Sequence, residues 1–131
     1  VPDEAPKFAR PAMLPPTLRP RARYLAYEVI SDTKIEFADV INAIWFSVIG
    51  LLGELGAAEA HMRIIKDSWN APKQLGLLRV SHTAVEPVRA SLALASRIGD
   101  TPVIIRVLGV SGTIKGARKK FFGEIDLGSF A

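Results

Sequence analysis

Residues 103–122 read Val103-Ile104-Ile105-Arg106-Val107-Leu108-Gly109-Val110-Ser111-Gly112-Thr113-Ile114-Lys115-Gly116-Ala117-Arg118-Lys119-Lys120-Phe121-Phe122. The first half is a β-branched run of the kind that fills a buried strand. The second half is basic and contains no acid. From Ser111 or Thr113 onward a helix would place Ile114, Ala117 and Phe121 on one apolar seam, with Lys115, Arg118, Lys119 and Lys120 beside it. Ser111, Gly112 and Thr113 form the joint between the halves. A core strand thus delivers concentrated positive charge to one place, and the joint could aim backbone donors at a phosphate. Gly112 and Gly116 each weaken such a helix by about 1 kcal/mol against Ala.

The charge of the whole chain is sorted in the same way. The net charge is +4, from 17 Lys and Arg against 13 Asp and Glu. Lys7, Arg10, Arg19, Arg21 and Arg23 lie in one acid-free stretch, and Arg106, Lys115, Arg118, Lys119 and Lys120 in another. The middle, 27–100, is slightly acidic. Sorting of this kind points to an anionic partner, with nucleic acid the first candidate.

Length and composition bound the alternatives. A chain of 131 residues, 49% hydrophobic, can close one core and is not a disordered polymer. It has no cysteine, which excludes disulfides and thiolate metal sites and fits a cytoplasmic protein. No uninterrupted apolar run reaches the ~18 residues that suggest a membrane span, because Glu36, Asp39, Asn42, Ser47 and Glu54 break Ile35–Leu55. The first residues lack both an initiator Met and an apolar core, as in a sequence that begins internally or after processing, and are not a signal peptide.

Working back along the chain, six of the nine prolines fall in residues 1–20, which are expected to form an extended basic arm. Residues 21–122 are expected to form one domain, with 123–131 a flexible tail. Arg21–Ser31 alternates as a strand with apolar residues on both faces, and so is central. Lys34–Leu52 has helical spacing, a capping-box pair in Thr33 and Glu36, and terminators in Gly53 and Gly56. Glu59–Asp67 and Gln74–Ser81 read as strands joined by a turn over Trp69–Lys73. A second capping-box spacing, Thr83 to Glu86, opens a helix that runs to Ile98 and stops at Gly99. Val103–Val110 is the last strand. The order β-α-β-β-α-β predicts an α+β, ferredoxin-like or RNA-recognition-like sandwich with an antiparallel sheet and a basic C-terminal helix.

Candidates for chemistry are few. His61 and His82 have no metal-ligand neighbour at useful spacing, no Ser-His-Asp arrangement is visible, and Gly109–Lys115 does not match a phosphate loop. No catalytic residue, metal ligand or bound cofactor is expected. RNA-recognition modules stack bases on aromatics of their two central strands. Here the third strand offers Leu75, Gly76, Leu77 and Leu78, and Tyr24 and Tyr27 point to opposite faces, so base stacking on the sheet is not expected. The aliphatic face with Leu75 and Leu77 suits a protein partner, as does Phe46, which is hard to bury on the long helix.

Three segments together resemble one family. These are Leu14-Pro-Pro-Thr-Leu-Arg-Pro-Arg-Ala-Arg-Tyr-Leu-Ala-Tyr-Glu-Val-Ile-Ser31, Leu52-Gly-Glu-Leu-Gly-Ala-Ala-Glu-Ala60 and Arg106-Val-Leu-Gly-Val-Ser-Gly-Thr-Ile-Lys115. They resemble archaeal ribonuclease P protein component 2 from about Leu14 to Phe122. The resemblance implies a ferredoxin-like subunit of the ribonucleoprotein that removes the 5′ leader of precursor tRNA. It implies that the RNA carries the catalytic centre with its Mg²⁺ ions. It also implies that the protein pairs with ribonuclease P protein component 3 and that assemblies hold two copies of the pair.

The residues expected to meet RNA phosphates are Arg19, Arg21, Arg23, Lys115, Arg118, Lys119 and Lys120, with Ser111, Gly112 and Thr113 placing the helix. Two other readings share the strand order: a metabolite-binding regulatory domain, and another ribonucleoprotein scaffold protein. Ten sorted basic residues are more than a metabolite needs.

Overall fold

The computed structural model describes residues 21–123. The expected arm and tail, Arg19 included, lie outside the described residues. The central strand β1, Ala22–Ser31, has Leu25, Tyr27 and Val29 on one face and Tyr24, Ala26 and Glu28 on the other. It pairs antiparallel with β3, Leu75–Ser81, on one side and with β5, Thr101–Ser111, on the other. Strand β2, Arg63–Asn70, flanks β3, and the two-residue β4, Arg97–Ile98, flanks the start of β5. The sheet order is β2-β3-β1-β5-β4, which is the expected ferredoxin-like arrangement with one short edge strand added.

Helices α1, Phe37–Glu59, and α2, Val85–Leu94, pack together against the Leu25–Tyr27–Val29 face. Val40, Ile44 and Val48 of α1 and Val88 and Leu92 of α2 are wholly buried there. Burying side chains of this size stabilises by about 1.5–3 kcal/mol each. By length and composition α1 could cross a bilayer, contrary to the reading of broken apolar runs, but one side of it is core.

Several boundaries differ from expectation. Gly53, at φ +74°, interrupts the helix where expected, but a further helical segment follows the kink to Glu59, so β2 starts only at Arg63. Neither capping-box spacing is used. Glu36 rather than Thr33 is the N-cap of α1, and a 3-10 turn at His82–Ala84 displaces Thr83 from the start of α2. Trp69 belongs to β2, where its ring stacks on Phe37 at 5.0 Å and on Tyr27 at 6.4 Å. Gln74, at φ +51°, closes the β2–β3 turn from within. Its Oε1 accepts from Ile35 N at 2.7 Å and its Nε2 donates to Val29 O at 2.7 Å.

The largest departure concerns the other face of the sheet. Helix α3, Ile114–Phe121, folds back over it and forms a second apolar layer with Ala26, Leu75 and Leu77. Leu77 and Ala117 are fully buried in this layer and Phe122 nearly so. Phe121 lies against Gly109, where any β-carbon would collide with its ring. Leu75 and Leu77 therefore present nothing to a protein partner. The expectation that they do is corrected by the chain's own C-terminal helix, whose Ile114–Ala117–Phe121 seam needed the apolar surface they supply.

Candidate nucleic-acid interface

Four strands bring four side chains into one lateral row. Arg63 of β2 is the direct partner of Arg79 of β3, Arg79 of Tyr24 on β1, and Tyr24 of Ser111 on β5. Direct partners in a ladder project from the same face, here the face that α3 crosses. Three interstrand spacings make the row about 14 Å long. Both arginines are exposed, and neither has an acidic partner among the described residues. Arg106, by contrast, is paired with Glu28 at 2.7 Å. Like charges placed directly opposite destabilise a sheet by a few tenths of a kcal/mol to about 1 kcal/mol. A bound anion would offset that cost.

Helix α3 starts beside the Ser111 end of this row. Thr113 is its N-cap, with Oγ1 accepting from Gly116 N at 3.0 Å, while Ser111 Oγ accepts from Thr113 N at 3.4 Å. These two hydroxyls are thus used in closing the helix start, and Gly112 is exposed beside them. Lys115, Lys119 and Lys120 are exposed along the helix, and the Lys120 ammonium sits 5.4 Å from the centre of the Phe121 ring.

Arg118 is different. Its Nη2 donates to Asp67 O at 3.0 Å and to Ser68 Oγ at 3.1 Å, and its Nε is buried. It ties α3 down to β2, so its guanidinium serves the fold where it was expected to meet phosphate.

The N-terminal cations reach the same end of the sheet, but Arg23 does not share the face that α3 crosses. Arg23 pairs with Val80, so its side chain leaves on the α1–α2 face, where Nη1 donates to Ala22 O at 2.9 Å. Arg21 is exposed ahead of β1, with its carbonyl accepting from His82 N at 2.7 Å. Sequence reasoning missed Arg63 and Arg79, although Arg79 is the lone charge in an otherwise apolar strand.

Phe46 is 81% exposed and stands on the outer side of α1, with Leu55 at 74% further along the helix. It borders a cleft of about 410 Å³ that Asp39, Asn42 and Arg97 also line. Among the described residues no three His, Cys, Asp or Glu side chains gather as a metal site. Burial pushes the Tyr27 hydroxyl well above the ordinary phenol range, and this group lies in the core rather than at any site.

The family model described as "Rpp14/Pop5 family" matches residues 23–122. "Ribonuclease P protein component 2" of Pyrococcus furiosus is 43% identical over 115 residues, covering 88% of this chain and 94% of the relative. The protein of the same description from Methanosarcina barkeri is 36% identical over 106 residues, covering 81% and 76%. Among solved structures, a chain in the cryo-EM structure of yeast ribonuclease MRP superposes with a TM-score of 0.57 at 12% identity, covering 72% of this chain and 76% of that one. At that identity the likeness concerns the fold.

Proposed function

Because the chain belongs to the Rpp14/Pop5 family, we propose that it is a protein subunit of ribonuclease P that supports the catalytic RNA in removing the 5′ leader of precursor tRNA. It does so by holding phosphates. The observation that carries this reading is the unneutralised pair Arg63 and Arg79 in one row with Ser111, next to a helix that exposes Lys115, Lys119 and Lys120. Close folding of RNA is opposed by phosphate repulsion, and cations fixed on a sheet and a docked helix relieve it without ordering new chain. Hydrolysis is the work of Mg²⁺ on the RNA, and the protein supplies no reacting group. The exposed Phe46 on α1, away from the basic face, is the side for the partner subunit, ribonuclease P protein component 3. Two copies of that pair per assembly remain part of the reading.

Titration of the purified chain against ribonuclease P RNA at several salt concentrations tests it. Five or six phosphate contacts give a slope of about −4 in log K against log salt on single-strand values. A slope near zero overturns the reading, as does cleavage of precursor tRNA by the purified polypeptide unaided.

A further inference from the structure

Helix α3 covers the middle of its sheet face, over Ala26, Leu75 and Leu77, and leaves the row Arg63–Arg79–Tyr24 at its margin. Tyr24 is half-buried. It packs against the α3 cluster while its neighbour across the ladder is the exposed Arg79. Among the described residues no hydrogen bond holds its hydroxyl. An aromatic ring backed by an apolar layer, with two unneutralised guanidinium groups next in line, combines the two features that bind unpaired nucleotides: a π face for the base and cations for the flanking phosphates. Base pairs in A-form RNA keep their faces stacked on one another, so a duplex can use the arginines but not the ring.

We propose that Tyr24, Arg79 and Arg63 form a subsite for one unpaired RNA nucleotide, with the base stacked on Tyr24 and the adjoining phosphates on the two arginines. The inference rests on the RNA-binding reading above and adds to it the kind of RNA preferred. Flatness is what the site needs from Tyr24. Phe supplies it and Met, of similar bulk, does not.

The test compares wild type, Tyr24→Phe, Tyr24→Met and Arg79→Gln in binding a short oligouridylate and an RNA duplex of equal length, across salt concentrations. Tyr24→Phe binds the oligouridylate like wild type. Tyr24→Met binds it roughly tenfold more weakly with an unchanged salt slope, and its duplex affinity does not move. Arg79→Gln weakens both RNAs and lowers both slopes. A second measurement needs no variant: irradiating the wild-type complex with bromouridine-substituted RNA attaches the nucleotide at Tyr24. Equal affinity of Tyr24→Met and wild type, an equal loss on both RNAs, or attachment elsewhere overturns the subsite. If wild type still binds both RNAs with a steep slope, the phosphate-binding function survives that failure. If it binds neither, that function falls as well.

Discussion

Arg63 and Arg79 stand directly opposite one another across the β2–β3 ladder, like charge against like. Removing either charge relieves repulsion in the free protein and removes a phosphate contact in the complex. Arg63→Gln and Arg79→Gln should therefore each raise stability by a few tenths of a kcal/mol to about 1 kcal/mol. Each should lower the magnitude of the salt slope with ribonuclease P RNA by about 0.7. Thermal melts and binding isotherms read the two effects separately. A variant that loses stability without changing the slope would mean that the pair is structural.

Arg118 and Lys119 are neighbours in sequence with opposite tasks. Arg118→Gln breaks the two contacts to Asp67 O and Ser68 Oγ and should cost about 1–3 kcal/mol. Lys119→Gln should leave stability within about 0.5 kcal/mol. The charge-reversed double variant Lys119→Glu, Lys120→Glu should raise the Mg²⁺ concentration needed for precursor-tRNA cleavage in the reconstituted enzyme. Activity unchanged at low Mg²⁺ would take these lysines out of the mechanism.

Gly109 accommodates the Phe121 ring, so Gly109→Ala should push α3 off the sheet. Overpacking of this kind costs about 1–3 kcal/mol. The uncovered leucines should then bind a hydrophobic dye that wild type does not. Adding Phe121→Leu should recover part of the loss, which a double-mutant cycle measures. Additive effects would show that the two residues do not meet.

The Tyr27 hydroxyl is buried with no hydrogen-bond partner, and burial raises its pKa. The folded chain therefore holds this proton more tightly than the unfolded chain, which loses it near pH 10. Stability should be flat with respect to this group below about pH 10 and fall as pH rises beyond it. Tyr27→Phe should remove that fall and, at neutral pH, raise stability by up to about 1 kcal/mol. Urea unfolding at a series of alkaline pH values gives both numbers. Parallel curves for the two proteins would place the hydroxyl in water.

Element order was legible in the sequence because periodicity is a local property. The two-faced apolar pattern of Tyr24–Val29 marked a central strand, and β1 lies between β3 and β5. The seam of Ile114, Ala117 and Phe121 marked α3 correctly. What that seam covers was not legible, since nothing in a helical repeat names its acceptor. Leu75 and Leu77 looked like surface for a partner because each strand was read alone. Arg63 and Arg79 were invisible for a related reason. Their pairing depends on register, and the β2–β3 ladder shifts between Ile65 and Asn70, which spacing does not predict. The unused boxes at Thr33 and Thr83 show that a capping spacing is necessary for a box but does not decide where a helix begins.

One consequence follows from α3 being synthesised after every strand it covers. While the chain emerges from the ribosome, Ala26, Leu75 and Leu77 stay wet until residues 114–122 are out, and a half-made sheet with bare leucines invites aggregation. The ring of Tyr24 gains its apolar backing in that same final step. Truncated products stalled before Ile114 should thus be sticky and should hold RNA only weakly, keeping Arg63 and Arg79 but lacking the lysines of α3.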